Sequence, residues 1–84
     1  MSSLGETIRA RLRAGHLPYR RPQHTYAGHG SGASCSGCTV PILAAQVEYK
    51  FEMASGEQFR LHIGCHGLWE AECIRQGWRR TQAI

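Results

Sequence analysis

The chain has 84 residues, a formal net charge of +4 and a hydrophobic content of 42%. A chain of this length forms one domain at most, and its core is marginally stable unless a disulfide or a metal supports it. The first residues contain no basic segment followed by an apolar run, and no stretch approaches about eighteen apolar residues. We therefore expect a cytoplasmic protein without an export signal and without a membrane partner.

The positive charge is concentrated toward the N-terminus. Residues 1–34 contain five arginines and one glutamate, whereas residues 35–84 contain five basic and five acidic side chains. Such an asymmetry favours an acidic partner, most often DNA or RNA, although a solvated basic arm has the same composition. The arginines that we expect to contact nucleic acid are Arg9, Arg11, Arg13, Arg20, Arg21, Arg79 and Arg80.

The first predicted element is a short helix over residues 4–14. Ser3 and Glu6 have the spacing of a capping box, and apolar residues then recur at every fourth position as far as Leu12. Gly15 ends the pattern. The arginines of this helix lie on both sides of its apolar stripe, so they do not form one basic face.

Residues 17–34 are rich in Pro, Gly, His and Ser and lack hydrophobic periodicity. We expect them to form an irregular Gly/Pro-rich connection, which together with the first helix makes an N-terminal region of residues 1–34. The glycine-rich end of this stretch lacks a P-loop lysine and a preceding strand, so the sequence does not favour a phosphate-binding loop. The histidines His16, His24 and His29 have no spacing that would pair them as metal ligands on a helix.

A β-hairpin is predicted next. Apolar residues alternate with charged ones over residues 47–53, which is typical of a strand with one buried face. A turn at residues 54–57 leads to a second strand, in which Phe59 and Leu61 point inward. The side chains expected to point inward from the first strand are Val47, Tyr49, Phe51 and Met53.

A helix over residues 64–76 follows the hairpin, and Gly77 ends it. Trp69 lies on the predicted buried face, and Cys73 is expected to be a small buried residue. A glycine immediately after a helix places Trp78 in contact with the third residue from the helix end, Cys73. Trp78 would therefore pack there, although a role in stacking on a base beside Arg79 is an alternative.

The most informative motif is C-x2-C followed by H-x2-C, formed by Cys35, Cys38, His62 and Cys65. Thiolates and imidazole in this spacing predict a closed tetrahedral site for one structural Zn²⁺. Two disulfides are the alternative, but the interleaved histidines and the absence of an export signal disfavour them. His66 points about 100° away from Cys65 on a helix, so we do not expect both to bind one ion.

These residues resemble a known type of zinc finger. The knuckle of residues 35–38, the following Pro41-Ile42, the strand of residues 47–53 and the terminal pattern of residues 62–65 resemble single treble-clef fingers of LIM domains and of poly(ADP-ribose) polymerase. They are also similar to small bacterial zinc-finger proteins of undefined function. The resemblance covers residues 35–69 and implies an α+β treble clef: knuckle, β-hairpin and C-terminal helix. We expect a zinc-finger domain over residues 35–84.

The sequence favours a binding module over an enzyme. Four protein ligands leave zinc no open position for water, and the chain contains no Asp and no Asn. We therefore expect no catalytic residues and no small-molecule substrate. The first hypothesis is a nucleic-acid-binding module, and the second is a protein-interaction adaptor that binds a partner at the exposed edge of the hairpin.

Overall fold

The structure is a computed structural model and describes residues 3–78. It contains two helices and a sheet of three antiparallel strands, which confirms the predicted small α+β class. The elements are α1 (Leu4–Arg13), β1 (His24–His29), β2 (Val47–Glu52), β3 (Gln58–His62) and α2 (Ile63–Arg75). Among the described residues, no helix has the length and the apolar character needed to cross a membrane.

The predicted caps are present at the start of α1 and at the end of α2, and the helix bounds lie within one residue of those predicted. The Ser3 hydroxyl accepts a hydrogen bond from the backbone of Glu6 (3.1 Å), and the Glu6 carboxylate accepts one from the backbone of Ser3 (2.9 Å). At the end of α2, Gly77 has a positive φ of 66°, and the Trp78 N–H donates to the carbonyl of Cys73 (2.7 Å). These contacts are the capping box and the Schellman motif expected from the local sequence.

The prediction of an irregular connection over residues 17–34 is wrong, because β1 lies within it. β1 pairs with β2 from His24 opposite Glu52 to His29 opposite Val47, and the strand order is β1-β2-β3. All six β1 residues are exposed. The strand therefore has no buried face that could produce a periodic signal in the sequence, and its backbone pairing with β2 holds it in place.

The glycine-rich residues 30–34, which we call the strap, are fixed against the rest of the sheet. Gly30 packs so closely that an added Cβ would lie 1.9 Å from the Leu43 carbonyl oxygen. Ser31 donates from its backbone N–H and its hydroxyl to Glu48 (3.0 and 2.7 Å), which also pairs with Arg60 (3.3 Å). Burial alone raises the pKa of Glu48, but these partners outweigh it and hold the pKa below its ordinary value.

Two residues of β2 differ from the predicted burial pattern, and the strap explains one of them. Glu48 was expected to face solvent and is buried, because the strap covers it. Val47 was expected to face inward and is 43% exposed. Phe51, Met53 and Leu61 are buried as predicted. Tyr49 and Phe59, which were also expected to face inward, are half-buried. The alternation therefore identifies the inner face of the hairpin except at Val47, the first residue of β2, and the burial of Glu48 depends on the distant strap.

One hydrophobic core joins α1, the hairpin and α2. Its centre is an aromatic stack in which the rings of Phe51 and Trp69 lie 4.4 Å apart at 14°. The Trp69 indole N–H donates to the Pro18 carbonyl oxygen (2.8 Å), so the segment after α1 is tied to α2. The buried hydrophobic residues are Ile8, Leu12, Leu17, Cys35, Ile42, Phe51, Met53, Leu61, Cys65, Trp69, Cys73 and Trp78.

Candidate metal centre

The four predicted ligands meet at one point of the fold. Cys35 and Cys38 lie in the knuckle between β1 and β2, His62 is the last residue of β3, and Cys65 lies in the first turn of α2. Their donor atoms all lie within 4.8 Å of one another. All four cysteines of the chain are free thiols, so the disulfide alternative is wrong for this structure.

The donor set fits zinc. Three thiols and one imidazole form the sulfur and nitrogen shell of structural zinc sites, in which bonds of about 2.0–2.3 Å place neighbouring donors less than about 4 Å apart. Cys38 Sγ and His62 Nδ1 are already 3.4 Å apart. The cluster is therefore placed to hold one metal ion, consistent with a single zinc, with a small contraction.

A backbone carbonyl orients the histidine. The other ring nitrogen of His62, Nε2, lies 3.3 Å from the Pro41 carbonyl oxygen. A proton on Nε2 would be donated to this oxygen, which leaves the lone pair of Nδ1 directed at the three sulfurs. Hydrogen bonds of this kind fix the tautomer of metal-binding histidines and raise their basicity. The Pro41 that follows the knuckle thus supports the site through its carbonyl group.

The pKa values of the two buried thiols, Cys35 and Cys65, are shifted in opposite directions. Burial raises the pKa of Cys35, but backbone N–H groups of Cys38, His62 and Gly37 point at its sulfur from 3.3–3.5 Å and lower the pKa to about 7. Burial and the nearby sulfurs of Cys35 and Cys38 raise the pKa of Cys65. Because the thiols cannot all ionise side by side without a cation, the cluster is suited to a divalent metal.

The N-terminal helix supports the centre, which the sequence did not indicate. A Cβ on Gly37 would lie 2.6 Å from the side chain of Ile8, so the glycine lets α1 pack directly on the knuckle. The Arg11 Nε–H donates to the Ser36 carbonyl oxygen (2.6 Å). The Ser36 N–H in turn donates to the carbonyl of Arg60 on β3 (2.7 Å). The knuckle of the metal centre is therefore held by α1 on one side and by β3 on the other.

The rival ligands lie elsewhere. The Cys73 thiol is fully buried in the core, where it donates to the Pro18 carbonyl oxygen (3.6 Å), and burial raises its pKa to about 12. The ring of His66 stacks on Tyr49 with centroids 4.4 Å apart. Neither belongs to the metal cluster, as the sequence predicted. The exposed histidines His16, His24 and His29 also lie outside the cluster of ligands found among residues 3–78.

The arginines predicted to contact nucleic acid lie in different parts of the structure. Arg11 is half-buried against the knuckle, whereas Arg20 and Arg21 are exposed and line a common cleft. The Arg21 guanidinium carbon lies 5.2 Å from the centre of the Trp78 ring. Arg9 and Arg13 lie on α1, and Arg79 and Arg80 lie outside the described residues. Of the five predicted arginines that lie within residues 3–78, the structure brings Arg20 and Arg21 together at one cleft.

Trp78 is not available for base stacking. It is 9% exposed, it packs edge-on against Trp69 at 5.5 Å, and Arg21 covers its ring. The alternative role of this tryptophan is therefore wrong, and its packing role is confirmed. The Trp78 ring instead holds the exposed Arg21 guanidinium through a cation–π contact.

Comparisons of the chain with protein-family models, with curated proteins and with solved structures give no significant match. The metal centre and the arginine cleft therefore rest on the residues and geometry described above.

Proposed function

We propose that this chain is a non-catalytic treble-clef finger in which one zinc ion has a structural role. The chain order supports this proposal, because a two-cysteine knuckle, a hairpin and a helix with the last ligand in its first turn follow one another. Four protein ligands fill a tetrahedral shell and leave no position at which zinc could activate water. The metal then contributes stability to the fold and takes no part in a reaction.

The module, we infer, binds nucleic acid through the arginines at its surface. The observation that supports this function is the state of two neighbouring side chains, Arg20 and Arg21. Both are exposed, and among residues 3–78 no carboxylate lies within ion-pair distance of either. In contrast, Arg60 and Arg75 are paired with glutamates. Arginines without a carboxylate partner can bind phosphate without first losing an intramolecular ion pair.

Fluorescence anisotropy of the zinc-loaded chain with labelled oligonucleotides tests this function. Single-stranded and duplex probes are titrated at about 50 mM and about 200 mM salt, because phosphate contacts produce a steep salt dependence. We expect binding that weakens with salt. Replacing Arg20 and Arg21 with glutamine should lower the slope of log K against log salt by about 1.4 on a single strand, for two lost contacts.

The matched control replaces Arg9 and Arg13 with glutamine, which changes the net charge equally on α1. If this pair weakens binding as much as the cleft pair, the contacts are spread over the surface and the cleft has no special role. If the wild type binds no probe at the lower salt concentration, the nucleic-acid function is wrong. Circular dichroism and zinc content of each variant establish that it is folded.

The second candidate function, protein interaction, is favoured by one feature of the sheet. The β2 edge of the hairpin is covered by β1, whereas β3 is an outer strand of the sheet that the knuckle contacts through Ser36 and Arg60. The outer edge of β1 also has no partner strand among the described residues. An exposed edge strand of six residues can pair with an extended peptide. Absence of nucleic-acid binding would favour this candidate.

A further inference from the structure

A cleft beside Arg20 and Arg21 is large enough to hold a small ligand. It lies between the segment that follows α1 and the turn that joins β2 to β3, and its volume is about 340 Å³. Ligand pockets in proteins begin at about 300 Å³, so it can take one small ligand but not a stacked base pair. The residues that line it are Pro18, Arg20, Arg21, Met53, Ala54, Ser55 and Glu57.

The cleft combines three kinds of surface. Pro18 and Met53 provide apolar area, and the two arginines provide positive charge and planar guanidinium groups. Glu57 provides an exposed carboxylate that forms no ion pair with another described residue. A free phosphate would be attracted by the arginines but repelled by Glu57. A ligand is complementary to the three surfaces if it has an anionic end for the arginines, an apolar part for Pro18 and Met53, and a hydrogen-bond donor for Glu57.

The cleft is also preorganised. The Pro18 carbonyl accepts the indole N–H of Trp69 at 2.8 Å, which anchors one wall to α2. Arg21 rests over the buried Trp78 ring. On the opposite wall the Met53 N–H donates to the Glu57 carbonyl (2.8 Å), which closes the hairpin turn. The backbone of both walls is therefore fixed before a ligand binds, which reduces the entropic cost of binding.

We propose that this cleft binds one unpaired nucleotide of a single-stranded nucleic acid. This inference rests on the proposed function and names its ligand class. The phosphate contacts Arg20 and Arg21, and the base lies against Pro18 and Met53. An exocyclic amino group of the base donates to Glu57. Cytosine, which has an amino group at this edge, is then preferred over thymine, which has none.

The test separates the cleft from general electrostatic attraction. Ala54→Leu fills part of the cleft at an exposed turn position and leaves the net charge unchanged. Ala10→Leu is the matched control, since Ala10 is exposed on α1 and does not line the cleft. Anisotropy is measured with oligo-dC, oligo-dT and a duplex of the same length. We expect Ala54→Leu to weaken binding of oligo-dC about tenfold or more and Ala10→Leu to leave it unchanged.

Glu57→Ala tests the base preference. We expect the wild type to bind oligo-dC at least about fivefold more tightly than oligo-dT, as one amino contact to a base provides. In Glu57→Ala the ratio should fall to about one, because thymine and cytosine then meet the same apolar surface. Taking the ratio of the two affinities removes the effect of the altered net charge. An unchanged ratio overturns the role of Glu57.

The outcomes distinguish the two proposals. Equal binding of duplex and single strands, with no effect of Ala54→Leu, overturns the cleft assignment while the nucleic-acid function stands. Binding of 5′-CMP as tightly as oligo-dC supports the cleft but overturns the nucleic-acid function, because the ligand is then a free nucleotide. If neither oligonucleotides nor CMP bind at low salt, both proposals are wrong.

Discussion

Replacing Gly30 with alanine introduces a methyl group where the fold has no room for one. Its Cβ would lie 1.9 Å from the carbonyl oxygen of Leu43 and 2.7 Å from that of Ile42. Both are backbone atoms, which cannot rotate away as the end of a side chain can. The strap must therefore move by about 1 Å against a close-packed segment, and such overpacking costs about 1–3 kcal/mol.

The displacement also affects hydrogen bonds on both sides of the glycine. The Gly30 N–H donates to the Gln46 carbonyl (2.9 Å), and the adjacent Ser31 donates to the buried Glu48. Weakening these bonds adds about 1–2 kcal/mol, since each contributes roughly 1 kcal/mol. We expect Gly30→Ala to lower the free energy of unfolding by about 2–5 kcal/mol, a large part of the stability of a small domain.

Gly28→Ala, two residues earlier on β1, is the matched control. No atom lies within 4 Å of its added Cβ, so we expect a change within about 0.5–1 kcal/mol of zero. Urea unfolding followed by circular dichroism at a fixed free zinc concentration measures both variants, because bound metal shifts apparent stability. If Gly30→Ala is as stable as Gly28→Ala, the strap is not fixed against residues 42–43 and the reasoning is refuted.

Two further predictions concern the cysteine and histidine side chains of the fold and the buried Glu48. Removing a ligand by His62→Ala or Cys38→Ser should abolish the cooperative fold, because structural zinc contributes roughly 10–16 kcal/mol. The control Cys73→Ser should lower the free energy of unfolding by only about 1–3 kcal/mol and leave the zinc content at one ion per chain. A folded, zinc-loaded His62→Ala would refute the ligand assignment. Glu48→Gln should lower the free energy of unfolding by about 1–3 kcal/mol. Because the pKa of Glu48 is lowered in the fold, its ionised contribution is lost only as pH falls below its ordinary value of about 4.5, so the difference from wild type should be equal at about pH 6 and about pH 8. A difference that shrinks toward pH 6 would mean that the carboxyl titrates there.

The parts of the fold that could be predicted are those whose signals are local. The capping box at Ser3 and the glycine stop at Gly77 depend on residues within one turn of the helix end. The hairpin follows from alternation on both sides of a short turn. The metal ligands are identified by two pairs with fixed spacing, Cys35 to Cys38 and His62 to Cys65, because zinc chemistry restricts both residue type and distance.

The parts that could not be predicted depend on contacts between distant residues. β1 has no buried side chain, so its identity as a strand comes from backbone pairing with residues more than fifteen positions away. Glu48 is buried because Ser31 approaches it from the strap. Arg11 resembled other surface arginines in the sequence, yet it donates to the knuckle. In each case the deciding partner is absent from the local sequence window.

The geometry links the metal centre to the cleft that we propose as the nucleotide site. Cys65 and Trp69 lie one turn apart on α2, and the Trp69 indole anchors Pro18 at the wall of the cleft. Arg21 lies over the ring of Trp78, and the Schellman motif at the end of α2 positions this tryptophan. Because α2 begins at the zinc ligands, loss of the metal should release both anchors together. Nucleotide binding and zinc binding would then be positively coupled, so each should raise the apparent affinity for the other.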